Sequence, residues 1–309
     1  MNKDKDKDKD QQQQQMIASK IKDISFTDVQ SDFCKLVEIG ANAHLVSSRC
    51  RTGNNVVDFF TFTERLNTKG KYNVSFYEFI EQIDEFKKKK FIQNMLTYYE
   101  NVKNKNKTKN EYIVYKEVYN ICVSAINIFR PIVAMEIYSK YKPTSVLDFC
   151  AGWGGRLVGA CALNVPKYTG IDINSNLEPC YQTMIDFLKL TPSTTSEMTM
   201  YFENAATFDY STVTYDLVLT SPPYYSLEKY SNNEEYESKQ QMNEVFYVPA
   251  IENSFKYLQQ GGYYCLNVNK EIYENVCIKL LGPANEEIGL KKSKRQNDYG
   301  ESIYVWHKA

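Results

Sequence analysis

Histidine is almost missing from this 309-residue chain: His44 and His307 are the only two. Its cysteines (Cys34, Cys50, Cys122, Cys150, Cys161, Cys180, Cys265 and Cys277) are scattered, and none forms a C-x-x-C pair. A zinc site needs clustered Cys or His ligands, so no metal is expected. Scattered single thiols in a chain of this size point to a reducing, intracellular compartment, cytoplasm or nucleus. A secretory h-region is missing too, and no apolar run reaches the ~18 residues of a membrane span. The longest, ICVSAINIFRPIVAMEIY, is broken by Asn127, Arg130 and Pro131. A soluble protein without a membrane partner is the expectation. Finally, 37 Lys and Arg stand against 38 Asp and Glu. With no global field to attract nucleic acid, any such contact needs a local basic patch.

What is present divides the chain into three. MNKDKDKDKDQQQQQ, residues 1–15, offers nothing apolar after Met1 that could pack, and is expected to be a disordered tail. Residues 16–128 read as a mainly helical accessory region. SFYEFIEQIDEFKKKKFIQNMLTYYENV repeats Phe, Ile and Leu at three- and four-residue steps. NVVDFFTFTERL is β-branched and aromatic, and reads as either a strand or a turn of helix. Residues 129–309 alternate short apolar strands (145–149, 168–173, 198–203, 215–220 and 262–268) with helical stretches near 131–141, 153–163, 176–190 and 242–259. That alternation implies a Rossmann-like, doubly wound α/β sheet with helices on both faces. EIGLKKSK and ESIYVWHK, joined by RQNDYG, read as a terminal hairpin with an antiparallel last strand.

Two strand ends carry chemistry. The first runs into LDFCAGWGGRL, delivering Asp148 and then Gly152 and Gly154 into a helix start, a cradle for a nucleotide-like ligand. Leu157 occupies the third glycine position of G-x-G-x-x-G, which disfavours a dinucleotide. Asp172, closing GIDIN on the second strand, can accept hydrogen bonds from both ribose hydroxyls of an adenosine moiety. Asn204 in ENAATFDY can reach an adenine edge. The fourth strand runs into LTSPPYYSLEKY. Consecutive prolines lack N–H groups and fix φ, so they end the ladder in a stiff loop, where α/β proteins place binding and catalysis.

These stretches resemble class I S-adenosylmethionine-dependent methyltransferases, in particular the amino-methylating branch. Its D-P-F-x-G-x-G motif is matched by DFCAGWG from Asp148 to Gly154, with Phe149 in place of proline and Cys150 in place of phenylalanine. Its [D/N/S]-P-P-[Y/F/W] signature is matched by Ser221, Pro222, Pro223 and Tyr224. FRPIVAMEIYSKYKPTSVLDFCAGWGGRL also resembles a lineage of phage and large-virus methyltransferase-like proteins. The resemblance covers residues 129–309 and implies a seven-stranded sheet with S-adenosyl-L-methionine as cofactor. Its contacts are expected from Arg130, Asp148, Cys150, Ala151, Gly152, Gly154, Asp172, Ile173, Asn204 and Ala205. The implied substrate is an exocyclic amino group of a nucleic-acid base: cytosine N4 or adenine N6, with DNA ahead of RNA. Such nitrogens are poor nucleophiles because the lone pair is delocalised into the ring. Hydrogen bonds to the Ser221 hydroxyl and the Pro222 carbonyl would hold the group near tetrahedral geometry, with Tyr224 stacking on the base for ~1–3 kcal/mol.

Two other readings fit the same residues: a protein glutamine-amide methyltransferase, and a non-catalytic methyltransferase-fold subunit that binds nucleic acid. Arg156, a cation in the first turn of a helix, needs an anionic partner, which could be a phosphate, the cofactor carboxylate or a structural acid. Tyr225 and Tyr230 are candidate walls of a base pocket. The lysine runs at 87–90 and 103–110 are candidate phosphate contacts, although such runs are more often solvated faces.

Overall fold

The computed structural model describes residues 2–47, 49–70, 72–192, 194–225, 228–229, 236–290 and 301–309, those at 2–9 and 228–229 by backbone alone. Contacts divide the chain into two compact units. One holds Met1–Phe26, Thr61–Asn127 and Ser226–Ser231; the other holds Thr27–Phe60, Ile128–Tyr225 and Asn232–Ala309. Residues 27–60 thus group with the α/β unit rather than with the helical region expected from the sequence.

The helical unit is built around Phe76, Phe79, Val118 and Tyr119, all buried. Ser75 caps its Phe76–Glu81 helix with a full capping box, exchanging hydrogen bonds with Glu78. Asn2–Ile21 form one helix, not the disordered tail the composition suggests. Its anchorage begins at Gln14, whose carbonyl accepts from the Tyr77 hydroxyl at 3.2 Å, and Ile17 and Ala18 enter the core. The lysine runs are partly engaged here. Lys88 pairs with Glu85 and Lys109 with Glu117, both at 2.6 Å, while Lys87 and Lys89 lie over the rings of Tyr115 and Phe86. NVVDFFTFTERL resolves as helix, within Asn54–Asn67.

The α/β unit is a seven-stranded mixed sheet. Its strands are β1 (Ser145–Asp148), β2 (Lys167–Ile171), β3 (Glu197–Tyr201), β4 (Leu217–Thr220), β5 (Tyr263–Asn269), β6 (Glu286–Gly289) and β7 (Glu301–His307). Their spatial order is β3-β2-β1-β4-β5-β7-β6. The first five pair in parallel, whereas β7 runs antiparallel to both β5 and β6. The central strands are buried on both faces, and β4 is buried at every position, as parallel strands covered by helices must be. The edge strand β6 alternates exposed and half-buried residues instead.

Sequence order reverses direction between β1 and β4, so the crevice beyond their carboxyl ends is the expected ligand site of an open α/β sheet. Helix α1 (Pro131–Tyr141) starts on a proline and ends at Lys142 in the left-handed region, just before Pro143. Helix α2 (Gly155–Ala162) lies directly on α1. A Cβ at Gly155 would fall 1.8 Å from the Phe129 carbonyl oxygen, so the last glycine of GWGG is demanded by packing. Helix α3 (Glu178–Leu190) follows β2.

Candidate active site

The loops after β1, β2 and β4 are stitched together by polar contacts in a row. The carboxylate of Asp172, just after β2, accepts from the backbone N–H groups of Gly152 (2.7 Å) and Asn174 (2.9 Å). Two residues before Gly152, the Cys150 N–H donates to the Thr220 hydroxyl at 3.0 Å, and Ser221 is the next residue. The glycine loop is therefore held on one side by the acidic loop and on the other by the SPPY loop.

Asp172 is half-buried, and among the described residues its hydrogen-bond partners are backbone N–H groups. Burial pushes its carboxyl up to about 6, although the Asn174 and Gly152 N–H groups pull it down. A carboxylate in that state gains from hydrogen-bond donors such as a ribose diol. Beside it, a Cβ built on Gly152 meets nothing closer than 3.9 Å, so the loop faces open space where a ligand can approach the backbone. An acceptor next to an open glycine backbone fits the ribose end of S-adenosylmethionine. Asn204 holds its own turn, its side-chain oxygen accepting from the Ala206 N–H at 2.9 Å. Ile173 is half-buried beside Asp172.

Other expected contacts are turned elsewhere. The Asp148 carboxylate is fully buried and accepts from Arg156 Nε and the Tyr168 hydroxyl, both at 2.7 Å. Arg156 also donates to the Cys150 carbonyl and lies over the Phe129 ring. Burial alone would lower the guanidinium's pKa, but Asp148 outweighs it and raises it. The partner that Arg156 requires is thus structural, and Asp148 shapes the loop from beneath rather than facing a ligand. Arg130 donates to the Cys50 carbonyl at 3.1 Å. Ala151 is buried with its N–H on the Ile171 carbonyl, and Ala205 is buried with its carbonyl on the Tyr210 hydroxyl. Gly154, at φ +85°, caps α2 against Met184. The Cys150 thiol is pushed up by burial, which argues against a thiolate nucleophile.

The SPPY loop is more elaborately tethered than its sequence suggests. Asn267, buried in β5, places its side-chain nitrogen 2.9 Å from Ser221 Oγ, 3.1 Å from the Tyr224 hydroxyl and 2.7 Å from Glu301 Oε1. The Tyr224 hydroxyl in turn donates to Glu301 Oε1 at 2.7 Å. Pro223 accepts a hydrogen bond from the Tyr247 hydroxyl, while the Pro222 carbonyl accepts none from the described residues. Tyr225 sits at φ +41°, packs edge-on against Tyr247 and donates to Asn243. Tyr230 lies outside the described residues. Sequence reasoning missed Thr220, Tyr247, Asn267 and Glu301. The available signal was Asn267 itself, an amide inside the apolar run YYCLNVN.

A sheet of this order, with its acidic, glycine and SPPY loops side by side at one edge, has the fold of the class I S-adenosylmethionine-dependent methyltransferases, and S-adenosylmethionine is its cofactor. More narrowly, residues 143–296 match the family described as RNA cap guanine-N2 methyltransferase. Among solved structures, TrmN from Thermus thermophilus is similar at 15% identity and a TM-score of 0.42, over 58% of this chain and 49% of that one. The chain thus spans about half of TrmN's length. An rRNA methylase from Streptococcus thermophilus aligns at 12% identity and a TM-score of 0.40, over 59% of this chain and 99% of its own. The SMU.1697c protein of Streptococcus mutans, solved in complex with SAH, aligns at 14% identity and a TM-score of 0.42, over 59% of this chain and 100% of that one. No curated protein matches. Among the described residues, no group of His, Cys, Asp and Glu could hold a metal ion, and no helix is long and apolar enough to cross a membrane.

Proposed function

We propose that the protein methylates an exocyclic amino group of a nucleic-acid base, with RNA as the nucleic acid and guanine N2 the first position to test. The observation that carries this reading is the Cys150–Thr220 hydrogen bond, which seats the SPPY loop beside the glycine loop and, through it, Asp172. The family description, RNA cap guanine-N2 methyltransferase, moves the substrate from the DNA bases suggested by the SPPY signature towards RNA.

Asp172 and the backbone around Gly152 would hold S-adenosylmethionine, with Asn204 at its base. When bound, the cofactor supplies an electrophilic methyl group. The chain's own contribution is to the acceptor. Ser221 Oγ and the Pro222 carbonyl accept hydrogen bonds from the two amino N–H groups, which localises the nitrogen lone pair. The prolines keep that carbonyl fixed, so nothing reorganises at the moment of reaction. Tyr224, tethered through its hydroxyl, offers its ring to the flat base.

The test is transfer of labelled methyl from S-adenosylmethionine to capped RNA, uncapped RNA and DNA, with nucleoside mass spectrometry of the product. Label on guanine N2 is expected, and it should vanish in Ser221→Ala/Tyr224→Ala. Label on cytosine N4 or adenine N6 restores the DNA-type reading. Label on protein glutamine favours an amide substrate, and no label on any acceptor sinks the catalytic account.

A further inference from the structure

One buried atom in the SPPY network has no explanation within that mechanism. Asn267 is 2% exposed, and its side-chain oxygen accepts no hydrogen bond from the described residues, while its side-chain nitrogen faces three acceptor oxygens. Rotating the amide by half a turn would let the oxygen accept from the Ser221 hydroxyl, removing the orphan. It would also press that oxygen against Glu301 Oε1. A carboxylate beside an amide oxygen is repulsive, whereas a carboxylate beside an amide N–H gains a charge-assisted bond. Glu301 therefore sets which way Asn267 points.

The orientation matters because it reaches Ser221. A hydroxyl has one hydrogen and two lone pairs. With Asn267 donating to Oγ, one lone pair is taken and the hydrogen stays available. With Asn267 reversed, the hydrogen would be consumed and only acceptor capacity would remain. We propose that Glu301 is a positioning residue which, by fixing the polarity of the Asn267 amide, makes Ser221 present one lone pair and its hydroxyl hydrogen to the target. This rests on the amino-methyltransferase reading and narrows it. The matching acceptor is an amino group on a carbon that also carries an unprotonated ring nitrogen: Ser221 takes an amino hydrogen and donates to that nitrogen. Such an edge occurs in guanine at N2 and N3, and also in adenine and cytosine. A simple alkyl amine lacks it.

The test is a polarity swap. Glu301→Gln/Asn267→Asp keeps one carboxylate and one amide in the network but turns an acceptor towards Ser221. Melting temperature, kcat, KM for nucleic acid and cofactor affinity are measured alongside wild type, Glu301→Gln and Glu301→Asp. The swap is expected to recover most of the melting temperature lost in Glu301→Gln. Its kcat should stay at least tenfold below wild type, with cofactor affinity within threefold. Glu301→Asp should regain part of kcat. If kcat recovers together with the melting temperature, the network is merely structural and the proposal falls. If the swap does not fold, Glu301→Gln decides alone, and wild-type kcat in it overturns the claim. Wild-type protein that transfers methyl to no nucleic acid overturns the function reading instead. The polarity claim is then read from affinity for a fluorescein-labelled single-stranded RNA without cofactor. A tenfold loss in Glu301→Gln is expected, and unchanged affinity overturns it.

Discussion

Asp148 and Asp172 close two neighbouring parallel strands, and each is the acidic residue at the mouth of its loop. Asp148 is fully buried and neutralised by Arg156 eight residues later, with Tyr168 on the same oxygen. Asp172 is half-buried, held among the described residues by backbone N–H groups, and pushed up to about 6 by burial. The pair shows that position at a strand end does not assign a carboxylate to ligand binding; the compensation of its charge does. A paired carboxylate stabilises the scaffold, while one solvated by backbone donors alone remains under-compensated and ready for ligand hydroxyls.

Removing the charge from each carboxylate should break the comparison in opposite directions. The largest effect is expected for Asp148→Asn, which leaves the Arg156 guanidinium buried without its counter-charge. Such losses cost ~3–5 kcal/mol, visible as a large fall in melting temperature. Asp172→Asn should raise the melting temperature of the cofactor-free protein at pH 8, because an ionised, desolvated carboxylate is removed. It should weaken cofactor binding by ~1.5–3 kcal/mol, the worth of hydrogen bonds to a charged group, measured by calorimetry.

The pH dependence sharpens the contrast further. With its folded pKa raised to about 6 from 3.8, Asp172 contributes stability that is fully present below about 4 and lost as pH rises through 6. The melting advantage of Asp172→Asn should therefore close between pH 8 and pH 4. Cofactor affinity should move the other way in wild type, falling roughly tenfold per unit below pH 6 as the acceptor is protonated. Affinity flat from pH 5 to 8 would remove Asp172 from the site. The smallest effect is expected for Gly152→Ala. Its φ of +59° costs a side chain ~1–2 kcal/mol, with no steric clash, and the added methyl enters the space facing the ligand.

The sheet was legible in the sequence because its strands are continuous apolar runs interrupted by helices; the strands lie close to the expected positions, while KKSK and the RQNDYG turn of the expected terminal hairpin lie outside the described residues. The helical run from Lys270 to Leu281 was not, since KEIYENVCIKLL follows β5 without a glycine or proline break. Asn269 is both the last residue of β5 and the cap whose side chain accepts from the Ile272 N–H. Helix Asn2–Ile21 was missed because composition gives no sign of the anchorage that Ile17 and Ala18 find in a distant core. At the site, Asp172 and the SPPY loop could be read from motif order alone. Glu301 could not, because its partners Asn267 and Tyr224 are 34 and 77 residues away in sequence and meet it only across the sheet. Asp148 misled for a physical reason visible in hindsight: Arg156 stands eight residues along, and a cation at a helix start asks for the nearest buried acid.

The hydroxyl of Thr220 has a thermodynamic consequence. It bridges the segment that would grip the methyl donor and the segment that would grip the acceptor, so ordering one lowers the entropy left to lose in the other. Reciprocity then requires donor and acceptor to strengthen each other's binding by the same factor, and Thr220→Val should uncouple them while leaving each able to bind alone.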